Sequence, residues 1–218
     1  RLSERTRQAY ARLNASPLGS AALGTSSFPV NRPRLAELLG FDAVIENSLD
    51  AGQISPIDSG AELVSLAEAC ALTISTFTAD VTAQYAQTKP WLLLAEGPQT
   101  GVSSIMPQKR NPDVFELIRG RSAAAQAALF EVLGIVAKLP SGYQRDLQLI
   151  KVPLFRAIDL CSDTLDILAP ALAEVKFRKE NISMDASINA AAEAYELVKN
   201  EGIPFREAYL RVGKKYLK

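Results

Sequence analysis

No histidine occurs anywhere in this 218-residue chain. The commonest acid–base side chain and the commonest metal ligand are therefore missing from it. A Ser–His–Asp triad cannot be assembled from these residues alone. Cysteine is scarce as well. Cys70 and Cys161 are far apart, and each sits inside an apolar helical pattern. They read as small core residues in a reducing compartment, not as a disulfide framework. With no His and no ligand-like Cys spacing, a bound metal is not expected. Neither sign of charge is in excess, since 24 Lys and Arg balance 24 Asp and Glu. That balance gives no electrostatic case for nucleic acid or an anionic membrane. No apolar run approaches the roughly 18 residues that span a bilayer. No leader-peptide pattern opens the chain. A cytoplasmic location is the expectation. Alternating strand patterns, repeats and low-complexity tracts are absent too.

What the chain has is helical periodicity. Hydrophobic residues make up 48% and charged residues 22%, the balance of a folded protein. Arg1 to Leu13 already reads as the end of a helix, with no cap signal before it, and Leu210 to Lys218 is still helical sequence. We therefore expect part of a larger protein. Asn14 to Asn31 is rich in Ser, Gly and Pro and reads as loop. Asn31 is placed to cap a short helix, Arg32 to Leu39, which Gly40 ends. Phe41 to Ser55 reads as irregular. From about Asp58 to Gln87, Leu63, Leu66, Ala67, Cys70, Ile74 and Phe77 recur at helical spacing. A loop from Glu96 to Arg110 follows. Asn111 then reads as the N-cap of a second long helix, with Pro112 at its first position and an end near Lys138. A third helical tract runs from Arg145 to about Val175, with kinks expected at Pro153 and Pro170. Two shorter helices, Asp185 to Asn200 and Phe205 to Tyr216, close the chain.

The fold class is thus all-α: long antiparallel helices of a central bundle over 1–175, and a small C-terminal helical element over 176–218. Small residues, as in Ser122 to Ala128, let helices approach closely. Helices this long cannot bury all their apolar surface in one three-helix layer. An oligomer with a multi-helix core is expected.

The chemistry concentrates in one stretch, Val102-Ser103-Ser104-Ile105-Met106-Pro107-Gln108-Lys109-Arg110-Asn111-Pro112. It carries two hydroxyls, a cation and an amide to a helix start, where unsatisfied N–H groups and a partial positive charge favour an anion. Growing negative charge in a reaction would be stabilised there. On spacing alone the plainer account is stronger: an ordinary Asn-Pro-Asp helix start, a solvated lysine and loop serines.

The same stretch resembles the signature loop of the fumarase/aspartase superfamily. Other segments narrow the resemblance to its argininosuccinate lyase branch. These are Pro17 to Ser20, Leu39 to Val44, Glu46 to Asp50, Gly142 to Gln148 and Ile203 to Ala208, in family order. The resemblance implies a C–N lyase that eliminates fumarate from an N-succinyl compound such as argininosuccinate, with no metal or organic cofactor. Ser103 would be the general base on a mobile loop. Ser104, Lys109, Asn111, Tyr143, Gln148 and Lys151 would bind the dicarboxylate substrate. The resemblance also implies a homotetramer whose active sites are shared between subunits. The family's Thr-His element would lie upstream of Arg1.

Four departures bear on the substrate. Val102 stands where the family has Gly, with Gly101 one place earlier. Gly52 to Asp58 replaces a charged segment. Gln144 replaces Asn, and Tyr209 replaces His. A relative acting on another N-substituted aspartate, such as an ethylenediamine-disuccinate lyase, is the alternative substrate reading. A non-catalytic, crystallin-like assembly protein is the alternative class.

Overall fold

A computed structural model describes residues 1–95, 97 and 100–217. Three long helices dominate: α3 (Ser55–Tyr85), α4 (Asp113–Val136) and α5 (Lys151–Ala173). Two shorter helices, α1 (Leu2–Leu13) and α2 (Arg32–Leu39), precede them. Helices α6 (Ala190–Glu201) and α7 (Phe205–Tyr216) follow. The described residues fall into two compact units, one of residues 1–88 and 92–176, the other of residues 89–91 and 177–218.

Local sequence explains the element ends. Asn31 accepts from Arg34 N at 3.0 Å and starts α2; Gly40, at φ +77°, ends it in the left-handed region. The stretch read as irregular up to Ser55 is helical earlier than expected. Asn47 Oδ1 accepts from the N–H groups of Leu49 and Asp50, at 2.8 and 3.2 Å. A π-helical turn, Asp50–Ile54, follows and runs straight into α3. Helix α4 also starts differently. Pro112, not Asn111, is its cap residue, because the Asn111 backbone is committed to a strand. The third tract is split into a 3-10 turn, Arg145–Gln148, and α5. Pro153 lies in the first turn of α5, where its missing N–H would have had no partner.

Short strand pairs, not expected from the sequence, pin the connections. Strands β1 (Ala15–Ser16) and β2 (Ala43–Val44) pair in parallel. Strand β3 (Leu92–Leu94) follows α3. Strands β4 (Gly101–Val102) and β5 (Arg110–Asn111) pair antiparallel, with Gly101 opposite Asn111. Strand β6 (Val175–Phe177) follows α5. Two or three residues per strand are too few to leave an alternating pattern.

The core of the first unit joins α3, α4 and α5 through Val64, Ala67, Ala128, Val132 and Ala157, with Ile150 just ahead of α5. Ala at the crossing points lets the helix backbones approach. Half-buried Cys161 packs against this cluster. Burial, with Cys70 alongside, pushes its thiol up to about 12, so it stays a protonated core group. Asp50–Tyr85 forms one continuous 36-residue helical stretch whose most apolar 18-residue window has a mean hydropathy of 1.2. By length and composition it qualifies as a span, contrary to the sequence reading. One face of it, from Gly60 through Val64, Ala67, Ala71 and Ile74 to Val81, is buried within the chain. Arg12 ties α1 to α3 by a forked ion pair with Glu62, whose carboxylate it holds below the usual range.

The second unit packs α6 on α7 around Ala194, Ala208 and Val212. Glu193 of α6 accepts from Tyr216 Oη at 2.5 Å and Lys215 Nζ at 2.9 Å, both from α7. These bonds hold its carboxylate below its ordinary pKa.

Two outcomes follow. Phe115 is 0% exposed. Phe115→Ala should cost about 3–5 kcal/mol in urea unfolding, the range for truncating a buried aromatic. For Glu193, a depressed folded pKa means stability that is present at neutral pH and lost as pH falls through that lowered value. Protection factors of the α6 and α7 amides, corrected for the intrinsic slowing of exchange at low pH, should fall on acidification through the carboxylate range, and Glu193→Gln should flatten that dependence.

Candidate functional site

The signature stretch forms a seven-residue loop, residues 103–109, closed at its base by the β4–β5 pair. Three of the Glu96 to Arg110 residues, 96, 98 and 99, lie outside the described residues. Within the loop, Ser103 Oγ accepts from two backbone donors, Met106 N at 3.0 Å and Ile105 N at 3.3 Å. Lys109 N donates to Met106 O at 3.0 Å and tightens the same turn. Arg110 donates to Pro107 O at 2.8 Å and Lys109 O at 3.2 Å, so its guanidinium braces the loop from below. Ser104, Ile105, Met106 and Lys109 are exposed; Ser103 and Asn111 are half-buried.

The displaced glycine has a steric reason. A Cβ on Gly101 would fall 1.6 Å from Asp113 Oδ2. The Asp113 carboxylate, in the first turn of α4, therefore lies directly over the backbone of β4. Asp113 and Glu116 also bring two negative charges to this helix start. They occupy part of the positive potential that the sequence reading reserved for a ligand. The exposed cation of the loop is Lys109, and the donors aimed at a hydroxyl are Ile105 N and Met106 N.

A second cluster gathers Tyr143, Gln148 and Lys151. All three line one cleft of about 460 Å³, together with Gly52, Ser59 and Gly60 of the α3 start and apolar residues such as Leu147 and Phe155. Gln148 Nε2 donates to Tyr143 Oη at 3.4 Å. Lys151 opens α5. Gly52, within the segment that departs from the family, thus forms part of a cleft wall.

The two clusters do not meet in one chain. Ser103, Ser104, Lys109 and Asn111 precede α4; Tyr143, Gln148 and Lys151 follow it. Twenty-four residues of α-helix span about 36 Å. A small substrate cannot touch both ends of the same helix. The loop hydroxyl is legible in the sequence, whereas its two N–H donors carry no side-chain signal. Ser59 and Gly60 are hidden for another reason: inside a helix pattern they look like filler.

Comparison with known proteins gives a consistent set. A sequence model described as lyase matches residues 1–127. Argininosuccinate lyase of Syntrophotalea carbinolica is 37% identical over 207 residues, covering 94% of this chain and 44% of that protein. Argininosuccinate lyase of Desulfatibacillum aliphaticivorans is 38% identical over 216 residues, covering 97% of this chain and 45% of that protein. Among solved structures, EDDS lyase in complex with formate superimposes with a TM-score of 0.84 at 27% identity, over 96% of this chain and 42% of that one. The chain therefore spans a little under half the length of the relatives it matches.

The Gly101–Asp113 contact has a direct test. Gly101→Ala should lower the melting temperature by displacing the Asp113 carboxylate. Adding Asp113→Gly should recover most of that loss, because it clears the space.

Proposed function

The chain belongs to the lyase family, and on that premise we propose that the protein it forms part of is an argininosuccinate lyase-like C–N lyase. It eliminates fumarate from an N-succinyl amino compound. The observation that carries this reading is the pair of backbone N–H groups on Ser103 Oγ. A serine hydroxyl is ordinarily far too weak an acid to serve as a base. Two donors aimed at its oxygen stabilise the alkoxide selectively and lower the cost of deprotonation.

In the proposed reaction the Ser103 alkoxide takes the proton from the succinyl Cβ. The electron pair left there moves into the carboxylate, giving an aci-carboxylate dianion. Lys109 and the Asn111 amide hold that charge. Collapse of the dianion forms the Cα–Cβ double bond and breaks Cα–N. The nitrogen leaves with a proton from a general acid, and fumarate and the free amine result. The 218 residues contain no histidine to supply that acid. We assign it to a histidine outside this sequence, on a neighbouring subunit. Tyr143, Gln148 and Lys151 bind the substrate from another copy, with no cofactor. Their separation from Ser103 by the length of α4 supports a site shared between copies. So do the apolar side chains that the long helices present outward, such as Leu117 and Phe130 on α4, each 67% exposed. A homotetramer in the cytoplasm completes the reading. Domain limits of 1–175 for the bundle and 176–218 for the C-terminal element belong to it as well.

For the substrate, the argininosuccinate lyase relatives favour argininosuccinate, with arginine as the released amine. The likeness to EDDS lyase, together with the replaced segment Gly52 to Asp58, supports ethylenediamine-disuccinate as the second candidate. Fumarate release from each, followed by ultraviolet absorbance on the whole protein, decides between them. No release from either would overturn the enzyme reading in favour of an assembly protein.

Two variants test the roles. Ser103→Ala should reduce turnover at least ~10³-fold while substrate binding persists, as for a lost acid–base group; unchanged turnover removes Ser103 as base. Ser103→Ala and Lys151→Met chains, each inactive alone, should recover turnover when co-assembled. Failure to complement in a mixed oligomer contradicts the shared site.

A further inference from the structure

Gln53 links the segment that departs from the family to the turn that carries Tyr143. It is 7% exposed, and both ends of its amide are engaged. Nε2 donates to Pro140 O at 2.7 Å, and Oε1 accepts from Gly142 N at 2.5 Å. The amide therefore bridges both sides of Ser141 across a chain separation of 87 residues or more. An amide offers a donor and an acceptor side by side from one uncharged planar end. A carboxylate would lose the donor, and a hydrocarbon would lose both.

The approach of Gln53 to this turn is itself fixed. Its neighbour Gly52 lies under the Ala22 carbonyl, where a Cβ would come within 2.7 Å of the oxygen. Gly142 adopts φ +101°, a conformation that side chains disfavour, and Leu23 lies beside it. Residues 139–144 belong to no helix or strand, so no backbone ladder positions them. Tyr143 follows Gly142 directly, and its Oη receives the Gln148 amide at 3.4 Å. A continuous set of bonds thus runs from Gln53 to Gly142, and through Tyr143 to Gln148 on the cleft wall.

We propose that Gln53 is a positioning residue for the substrate cleft. By fixing Gly142 it sets Tyr143, and through Tyr143 it sets Gln148. What the cleft binds rests on the lyase reading above. How its wall is held rests on the bonds of this chain.

The test uses the whole assembled protein and fumarate release from argininosuccinate and ethylenediamine-disuccinate. Gln53→Met keeps the length and loses both bonds. It should raise KM about tenfold, roughly the equivalent of one such bond, with kcat within about twofold. Gln53→Asn keeps the amide on a shorter stem, reaches one partner, and should fall between Met and wild type; it serves also where the Met variant does not fold. Amide exchange at Gly142 should quicken in both. Combined with Tyr143→Phe, Gln53→Met should add less than about twofold to the KM rise, because the two act through one group. Full additivity overturns the proposal. So does an unmoved KM with Gly142 deprotected, and either result leaves the lyase reading standing. Absence of fumarate from wild type with both substrates removes the lyase reading and this proposal together.

Discussion

The packing of α3 against α4 and α5 through small side chains is the constraint on which the rest depends. Ala67, Ala128 and Ala157 let three helices lie close enough to share one core. Helices held this way act as rods, and the connections at their ends inherit fixed positions. The β4–β5 loop stands at one end of α4, and the Tyr143 turn at the other. The β4–β5 loop has only its two-stranded base, and the Tyr143 turn has no strand of its own. Each is held against the rods by a few contacts: the Asp113 carboxylate packed over Gly101 at one end, the Gln53 hydrogen bonds to Pro140 and Gly142 at the other.

Rod geometry also sets what one chain can do alone. Groups at opposite ends of a helix about 36 Å long cannot act on one small molecule, whatever their chemistry. A protein that keeps a hydroxyl–cation loop at one end and a Tyr–Gln–Lys cleft at the other gains from them jointly only if copies pack side by side. Antiparallel packing brings the loop end of one α4 beside the cleft end of another. The outward apolar residues of the same helices supply a reason to pack. Burying them removes from water surface that a lone three-helix layer leaves exposed. Assembly and catalysis in the proposed enzyme thus draw on the same faces.

Helices and their ends were legible where a side chain does the work. Asn31 and Gly40 bound α2 because a capping amide and a left-handed glycine are local devices. The helical class and the three long tracts followed from periodicity. The differences have two causes. Asn111 has the form of a cap, yet its backbone pairs with Gly101, a partner ten residues away that no local pattern announces. The π turn at Asp50–Ile54 is led by a local device, the Asn47 side-chain carbonyl on Leu49 and Asp50 N–H, but it lies in a stretch without helical apolar periodicity. In the site, side chains were named from the sequence, but the backbone donors of Ile105 and Met106 were not. Any residue except proline can offer an N–H.

In the proposed enzyme the base on this chain is a serine, and the main chain prepares it. A side chain is one way to tune a proton; the main chain is another. Turning 103–106 tightly aims two N–H groups at one oxygen at no cost in residue type. Such donors are already oriented before substrate arrives, so little reorganisation opposes them when charge appears. They favour the alkoxide over the hydroxyl without adding a formal charge. The loop therefore asks little of its sequence except a serine at the right place and a turn that holds. Lys109 closes that turn through its own backbone N–H, which leaves its exposed ammonium to meet a carboxylate. In the proposed site one residue thus shapes the turn around the hydroxyl and offers a cation to the substrate.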